Sequence, residues 1–317
     1  MRCIVILPPW LTAKRKLGSS VPYMEAIPVA KKDRLILVTG ATGKQGGAAL
    51  RHLRQKGFAV RAMTRDPDQP KGRALEQPGV EVVKGDLDDV DSIRRALDDV
   101  YGVYSVQNSR AGAEAEIRQG INLVEAAARE VVDHFVYSSV ASADQNTGIP
   151  HFDSKFRIEE RVRAAGVPYT ILRPVFFMEN WLGMRESIDQ GTIALPLKPE
   201  TRLQMIAADD IGAFVAMAFE HPGKWNGRVL EIAGDEHSMT DTARVLSGAA
   251  GREVKYQQIS WDDFERNAGH EITVMFRWFE TTGYHVDIAA LRQEHPNLLT
   301  LERWSQTYWA KAATAAH

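Results

Sequence analysis

The sequence predicts an α/β protein. Its core is a doubly wound parallel sheet with helices on both faces, followed by a smaller C-terminal α/β lobe. Two observations carry this. From Arg34 onward, short apolar runs rich in β-branched residues alternate with helical stretches of ten or more residues. That alternation builds βαβ units, whose crossovers are right-handed. The first run, "RLILVT", also leads straight into a glycine turn that opens a helix.

The elements follow in order. "RLILVT" reads as a buried strand, then residues 44–57 as a helix, "FAVRAMTR" and "VEVVKGD" as strands, and residues 89–98 as a helix. "YGVYSVQ" is a strand, 111–130 a long helix, and "HFVYSSV" a strand. "HFDSKFRIEERVRAAG" is a helix stopped by Gly166, and "VPYTILRP" the next strand. Residues 34–175 thus form the sheet domain, with later strands returning to it, and 176–317 mainly the lobe. In the lobe, "TRLQMIAADDIGAFVAMAFE" is a strand and a helix capped by Asp209 or Asp210. "RVLEIAG" and "VKYQQIS" are strands, and "SMTDTARVLSGAAG" is a helix with glycine at its end. The aromatic-striped "WDDFERNAGHEITVMFRWFETTG" reads as one helix. The lobe is expected over the carboxyl edge of the sheet, where open α/β sheets bind ligands.

Bulk properties exclude several classes. The 317 residues are 44% hydrophobic and 25% charged, ordinary for a globular protein, and the net charge of −2 lacks the basic excess of a nucleic-acid surface. Cys3 is the one cysteine, so no intrachain disulfide forms, which fits a reducing, cytoplasmic setting. No apolar run approaches the ~18 residues of a membrane helix. Residues 1–33 are expected to be a tail without a folded role: Pro8 and Pro9 break the apolar stretch, and the basic cluster follows it, unlike a signal peptide. Met24 is a candidate alternative start.

Gly40, Gly43 and Gly46 are spaced G-x-x-G-x-x-G between the first strand and the first helix. Such a turn lets backbone approach a pyrophosphate at a helix N-terminus, with Thr42, Lys44 and Gln45 filling the same loop. Arg65 ends the second strand, about 20 residues on, where the ribose 2′ position is read. An arginine fork suits a 2′-phosphate and so NADP(H); the neighbouring Asp66 is the residue type that selects NAD(H). Asp86 and Leu87, in "GDLDD", lie where an adenine sits, and the same acidic cluster suits a helix cap.

"HFDSK" places His151 and Lys155 four residues apart, on one face of a helix. Near neutrality a histidine can donate a proton, whereas a nearby lysine cation favours its neutral form. His151 is therefore either an acid or a residue that shapes the pocket. His270 and Glu271 begin H-E-x-x-H, but Val274 takes the last position, and the histidines show no metal-ligand spacing. Met275, Phe276, Trp278 and Phe279 read as a packing stripe.

"GATGKQGG", "TRDP" and "HFDSKFRIEERVRAAGVPYTILRPVFFMENWLG" together resemble the NmrA-like, atypical short-chain dehydrogenase/reductase family, as does "MFRWFETTGYHVDIAALRQEHPNLLTLERW". The resemblance covers Arg34 to Trp309. It implies a Rossmann-type domain, an NADP(H) site and a small C-terminal lobe. It also implies that Val106, Gln107 and Asn108 line the path of the dinucleotide, that Lys155 holds the nicotinamide ribose, and that Pro174, Phe177 and Asn180 border the nicotinamide. Ser138 and Ser139 lie where the wider superfamily keeps a catalytic serine, which this subgroup does not reliably use. The wider superfamily also uses a tyrosine acid where His151 stands, so the expected chemistry is hydride transfer to a conjugated acceptor such as a quinone. The family also contains redox sensors of the NADPH/NADP ratio that bind protein partners. The expected partner is thus a small-molecule acceptor or a protein, and the expected state is monomer or homodimer.

Overall fold

The order of elements in the computed structural model follows the predicted alternation. It describes residues 34–108 and 111–314, which belong to one compact unit, Lys31–His317; the expectations for residues 1–33 lie outside the described residues. The first part comprises β1 (Leu35–Val38), α1 (Lys44–Gln55), β2 (Ala59–Thr64), α2 (Pro70–Arg73), β3 (Val80–Lys84) and α3 (Val90–Ala96). Then come β4 (Gly102–Ser105), α4 (Ala113–Arg129), β5 (His134–Ser138), α5 (Pro150–Ala164) and β6 (Tyr169–Pro174). After β7 (Phe176–Phe177) and a 3-10 helix (Met178–Met184) follow α6 (Arg185–Asp189), β8 (Thr192–Leu195), β9 (Arg202–Ile206), α7 (Ala208–Glu220) and α8 (Pro222–Trp225). The chain continues with β10 (Arg228–Ile232), β11 (Asp235–Ser238), α9 (Met239–Ala250), β12 (Lys255–Gln258), α10 (Trp261–Ala268), α11 (His270–Thr281), α12 (Ile288–Glu294) and α13 (Leu301–Thr314).

Seven strands form one parallel sheet in the order β3-β2-β1-β4-β5-β6-β10. Side chains alternate across a strand, and β1 shows it. Ile36 and Val38 join the core beneath α1 and α7, whereas Leu37 joins the opposite core with Leu123, Val124, Ile158 and Val162 of α4 and α5. Both faces are covered, and β1 is apolar along its whole length, as a strand inside a parallel sheet should be. Two close approaches need glycine. A Cβ on Gly212 of α7 would lie 2.6 Å from the Ala48 backbone of α1, and one on Gly120 of α4 would lie 2.5 Å from Ile158 of α5. Two smaller sheets, β11-β9-β7 and β12-β8, build the lobe. Among the described residues no helix is long and apolar enough to cross a membrane.

Two expectations are corrected. The aromatic stretch is not one helix: Gly269, at φ 83° and ψ 165°, divides it into α10 and α11. That backbone conformation belongs to glycine and interrupts the helical hydrogen-bond ladder. Nor does Asp209 or Asp210 cap α7. Ala207 is its N-cap residue, and the Ala208 N–H donates instead to the Glu179 carboxylate, at 3.0 and 3.1 Å. Asp210 turns away, its Oδ2 accepting from the Leu299 N–H at 3.0 Å. The cap expected in "GDLDD" is present and falls on Asp89, which accepts from the Asp91 and Ser92 N–H groups.

His134 of β5 has no solvent exposure; its Nε2 lies 2.9 Å from Thr170 Oγ1, and its Nδ1 has no partner among the described residues. Burial pushes its pKa from 6.5 down to about 4. The folded state therefore keeps it neutral while the unfolded chain protonates near 6.5. Stability from this group is intact above pH 6.5 and is lost as pH falls toward 4, by about 3 kcal/mol in all. Acid titration of the thermal midpoint is expected to fall less steeply across this window in His134→Gln.

Candidate functional site

At the β1–β4 junction the strand order reverses direction, and the loops leaving the two strands diverge to open a crevice. Thr39 stitches the strands together there. Its N–H donates to the Tyr104 carbonyl at 3.0 Å, and its Oγ1 accepts from the Val106 N–H at 2.9 Å. Gly40 follows at φ 59°, a left-handed conformation, and a Cβ on it would lie 2.8 Å from Val106 Cγ1. The Gly43 N–H closes the turn onto the Gly40 carbonyl at 2.9 Å. A Cβ on Gly46 would lie 2.2 Å from that same oxygen. No side chain caps α1, and its first turn holds no acidic residue, so its positive end faces the crevice uncompensated. Thr42, Gly43 and Lys44 are exposed at the tip. Gln45 turns inward, its Oε1 accepting from Ser138 Oγ at 2.6 Å and from the Tyr104 hydroxyl at 3.3 Å. Burial pushes the Tyr104 phenol upward against the opposing hydrogen bond from Ser138, so it stays a donor. Gln107 is buried beyond β4, its Nε2 donating to Ser105 Oγ at 2.9 Å, and Asn108 is exposed.

Arg65 and Asp86, predicted to meet one end of the ligand, line one pocket of about 310 Å³ with Lys84, Gly85, Asp89, Ser92 and Arg95. Lys84 and Arg95, which line the same pocket, were not singled out from the sequence. A lysine at a strand end and an arginine on a helix face look like ordinary surface charges until β3 and α3 converge. Asp86 is fixed by its own loop: its N–H donates to Ser92 Oγ at 2.9 Å, and its Oδ1 accepts from the Asp88 N–H at 3.0 Å. The Leu87 carbonyl accepts from Asn122 of α4 at 2.9 Å.

His151 and Lys155, one helical turn apart on α5, engage different neighbours. Lys155 Nζ donates to Glu116 Oε1 of α4 at 2.7 Å, and Ser154 Oγ donates to Glu116 Oε2 at 2.6 Å. His151 Nδ1 lies 2.7 Å from Glu271 Oε1 of α11. The His151 ring stands edge-on to Phe152, which meets Trp278 at 5.6 Å. The stripe packs as expected, with Phe276 and Phe279 buried and Phe279 against Phe176 at 6.1 Å.

Pro174 ends β6, Phe177 pairs with Ile206, and Asn180 is exposed. Between them sits Glu179, also missed by sequence reasoning. Its carbonyl accepts from Lys44 Nζ at 3.0 Å, and its carboxylate accepts from Trp304 Nε1 at 3.0 Å as well as from Ala208. Burial raises its pKa against these donors. Glu179 thereby joins the glycine-turn helix α1 to α7 and α13. Among the described residues no group of three or more His, Cys, Asp or Glu could hold a metal ion.

The profile of the NmrA-like family matches residues 32–305. The chain belongs to the NmrA-like family. Its relatives include the NmrA-like family domain-containing oxidoreductase FrzB of Cladobotryum sp., 28% identical over 286 residues, 78% of this chain and 84% of the relative. The NAD(P)H azoreductase of Xenophilus azovorans is 30% identical over 227 residues, 71% of this chain and 77% of the relative. Among solved structures, the NADPH-dependent quinone oxidoreductase QOR2 of Escherichia coli, complexed with NADPH, superposes with a TM-score of 0.76 at 25% identity. That match covers 86% of this chain and 99% of the other.

Proposed function

We propose that the protein is an NADPH-dependent reductase that delivers hydride to a small conjugated acceptor such as a quinone. The observation that carries this reading is the crevice between β1 and β4. Its turn leaves no room for a Cβ at Gly46, and a pocket past β2 and β3 places Arg65, Lys84 and Arg95 beside Asp86 and Asp89, with Arg95 4.0 Å from Asp89. A close-approach backbone at a helix N-terminus fits a pyrophosphate, and clustered cations fit the extra phosphate of NADP(H). The named activities of the azoreductase and quinone oxidoreductase relatives support the same class of acceptor.

In this reading the glycine turn binds the pyrophosphate and Arg65 pairs with the 2′-phosphate. Asp86 and Leu87 border the adenine, and Val106 to Asn108 line the path onward. Lys155 donates to the nicotinamide ribose, while Pro174, Phe177 and Asn180 wall the nicotinamide end. The bound dinucleotide supplies the hydride. The protein's part is to hold the acceptor at near-attack distance from the hydride donor. His151, engaged by Glu271, shapes the wall between α5 and α11. A conjugated acceptor suits a site without a tyrosine acid, because it takes hydride into an extended system and draws its proton from water.

The test is NADPH oxidation by purified protein against quinones, azo dyes and aldehydes, with Arg65→Glu alongside. Turnover with quinones or dyes is expected. Arg65→Glu should weaken NADPH binding about 10- to 100-fold while leaving NADH nearly unchanged, the usual range for one charge-assisted contact. Tight NADPH binding without turnover on any acceptor would overturn the reductase reading in favour of a sensor that passes its cofactor state to a protein partner.

A further inference from the structure

Glu116 is an acid in an unusual place. It sits in the first turn of α4, has no solvent exposure, and both its oxygens point at α5. One receives Lys155 Nζ at 2.7 Å and the other Ser154 Oγ at 2.6 Å. Burying a carboxylate is costly unless it is paired and hydrogen-bonded, and replacing such a pair with apolar residues is often neutral or stabilising. Packing alone therefore gives little reason for a carboxylate here. The helices do not need it to associate: Ile158, packed against Gly120, already joins them, and Arg157 and Glu114 approach at 4.0 Å on the outside.

The position matters more. The first turns of α4 and α5 follow β4 and β5 and so lie at the carboxyl edge of the sheet, where the crevice opens. A lysine on four flexible carbons loses rotamer freedom when it is fixed. A buried partner can meet that cost before any ligand arrives. The other charged groups around Lys155 are spoken for. His151, one turn back, engages Glu271 of α11. Tyr137 of β5 is a buried phenol pushed well upward first by burial and then by Glu116 and Glu159, so it brings no charge.

We propose that Glu116 is a positioning residue: it fixes the Lys155 ammonium at the crevice so that its remaining N–H donors meet the ribose of the dinucleotide. This inference rests on the NADP(H) reading above. Glu116 touches neither cofactor nor acceptor and acts only through Lys155.

A double-mutant cycle in NADPH affinity, read by nucleotide fluorescence, tests it. The variants are Glu116→Gln, Glu116→Asp, Lys155→Met and the double variant Glu116→Gln/Lys155→Met, with thermal melts recorded in parallel. Glu116→Gln should weaken NADPH about tenfold and Glu116→Asp should retain affinity within about threefold, the scale of one charge-assisted bond. The double variant should bind no more weakly than Lys155→Met, because Glu116 has nothing left to position. It buries no unpaired charge, so it remains the folded reference if a single variant is unstable. Losses that multiply in the double variant, or that track the melting temperature across the set, would overturn the proposal and leave Glu116 a packing residue. Wild-type protein that fails to bind NADPH would overturn this inference together with the cofactor reading, whereas wild-type binding with an unaffected Glu116→Gln overturns this inference alone.

Discussion

Replacing Gly46 by alanine is expected to abolish measurable NADPH binding. The new Cβ would stand 2.2 Å from the Gly40 oxygen, 2.5 Å from the Gly40 carbonyl carbon and 2.8 Å from the Ala41 nitrogen. All three are backbone atoms, so no rotamer change relieves the clash. Either the third residue of α1 moves out or the turn opens, and the 2.9 Å Gly43-to-Gly40 bond that shapes the anion cradle breaks. Overpacking of this kind costs about 1–3 kcal/mol of stability. Misplacing the turn should cost binding about 100-fold or more, because a pyrophosphate needs several N–H donors aimed at once. Gly47→Ala is the control: its Cβ would lie 3.3 Å from the Ala41 oxygen, a contact that a small shift relieves. Calorimetric titration of both variants with NADPH checks the pair. Equal affinities would mean that the turn does not form the phosphate site.

The second large effect concerns stability. Arg173 of β6 is buried, and its Nε and Nη2 donate to the two oxygens of Glu159 of α5 at 2.8 Å each, while its Nη1 donates to Asp144 at 2.8 Å. Glu159 has no exposure and keeps one other partner, Arg163, at 2.7 Å. Arg173→Met would leave that carboxylate buried with half its partners. Breaking a buried pair from one side costs about 3–5 kcal/mol, and the remaining arginine places the expectation near ~3 kcal/mol. Chemical denaturation should show the loss, and Glu159→Gln on the Arg173→Met background should recover part of it. An unchanged midpoint would mean that water or loop movement compensates. The Arg173–Asp144 contact and the Ala141 N–H donated to the Pro174 carbonyl at 3.0 Å both tie the loop after β5 to β6.

What the sequence disclosed follows the range of the forces involved. The glycine turn was legible because it is local: the left-handed backbone at Gly40 and the contact between Gly40 and Gly46 span seven residues that any reader sees together. That Arg65 and Asp86 come together in one pocket was legible, because strand ends at a known distance from that turn fix where they fall. Lys155 was legible as a position on α5, but its partner was not. Glu116 lies 39 residues away in "AEAEIRQ", a stretch that reads like any solvated helix face. Glu179 escaped for the same reason: the helix it caps begins 29 residues later. The expectation of a local cap at Asp209 or Asp210 was reasonable chemistry, overruled by tertiary geometry. The break at Gly269 was different, since the glycine was in plain view and the aromatic stripe on either side outweighed it.

The return of β10 to the sheet has a consequence for how such a protein can change. The chain leaves the sheet after β6, lays down β7, β8 and β9 elsewhere, and only then adds the seventh strand beside β6. On the way it places α7 against α1, with Gly212 almost touching Ala48. No single cut divides the molecule into a half that holds one ligand and a half that holds another. A fragment ending at residue 175 would expose the flank of β6 and strip α1 of the helix that covers it. The lobe is not an exchangeable cassette, and new ligand preferences must arise by substitution within walls that are inherited together.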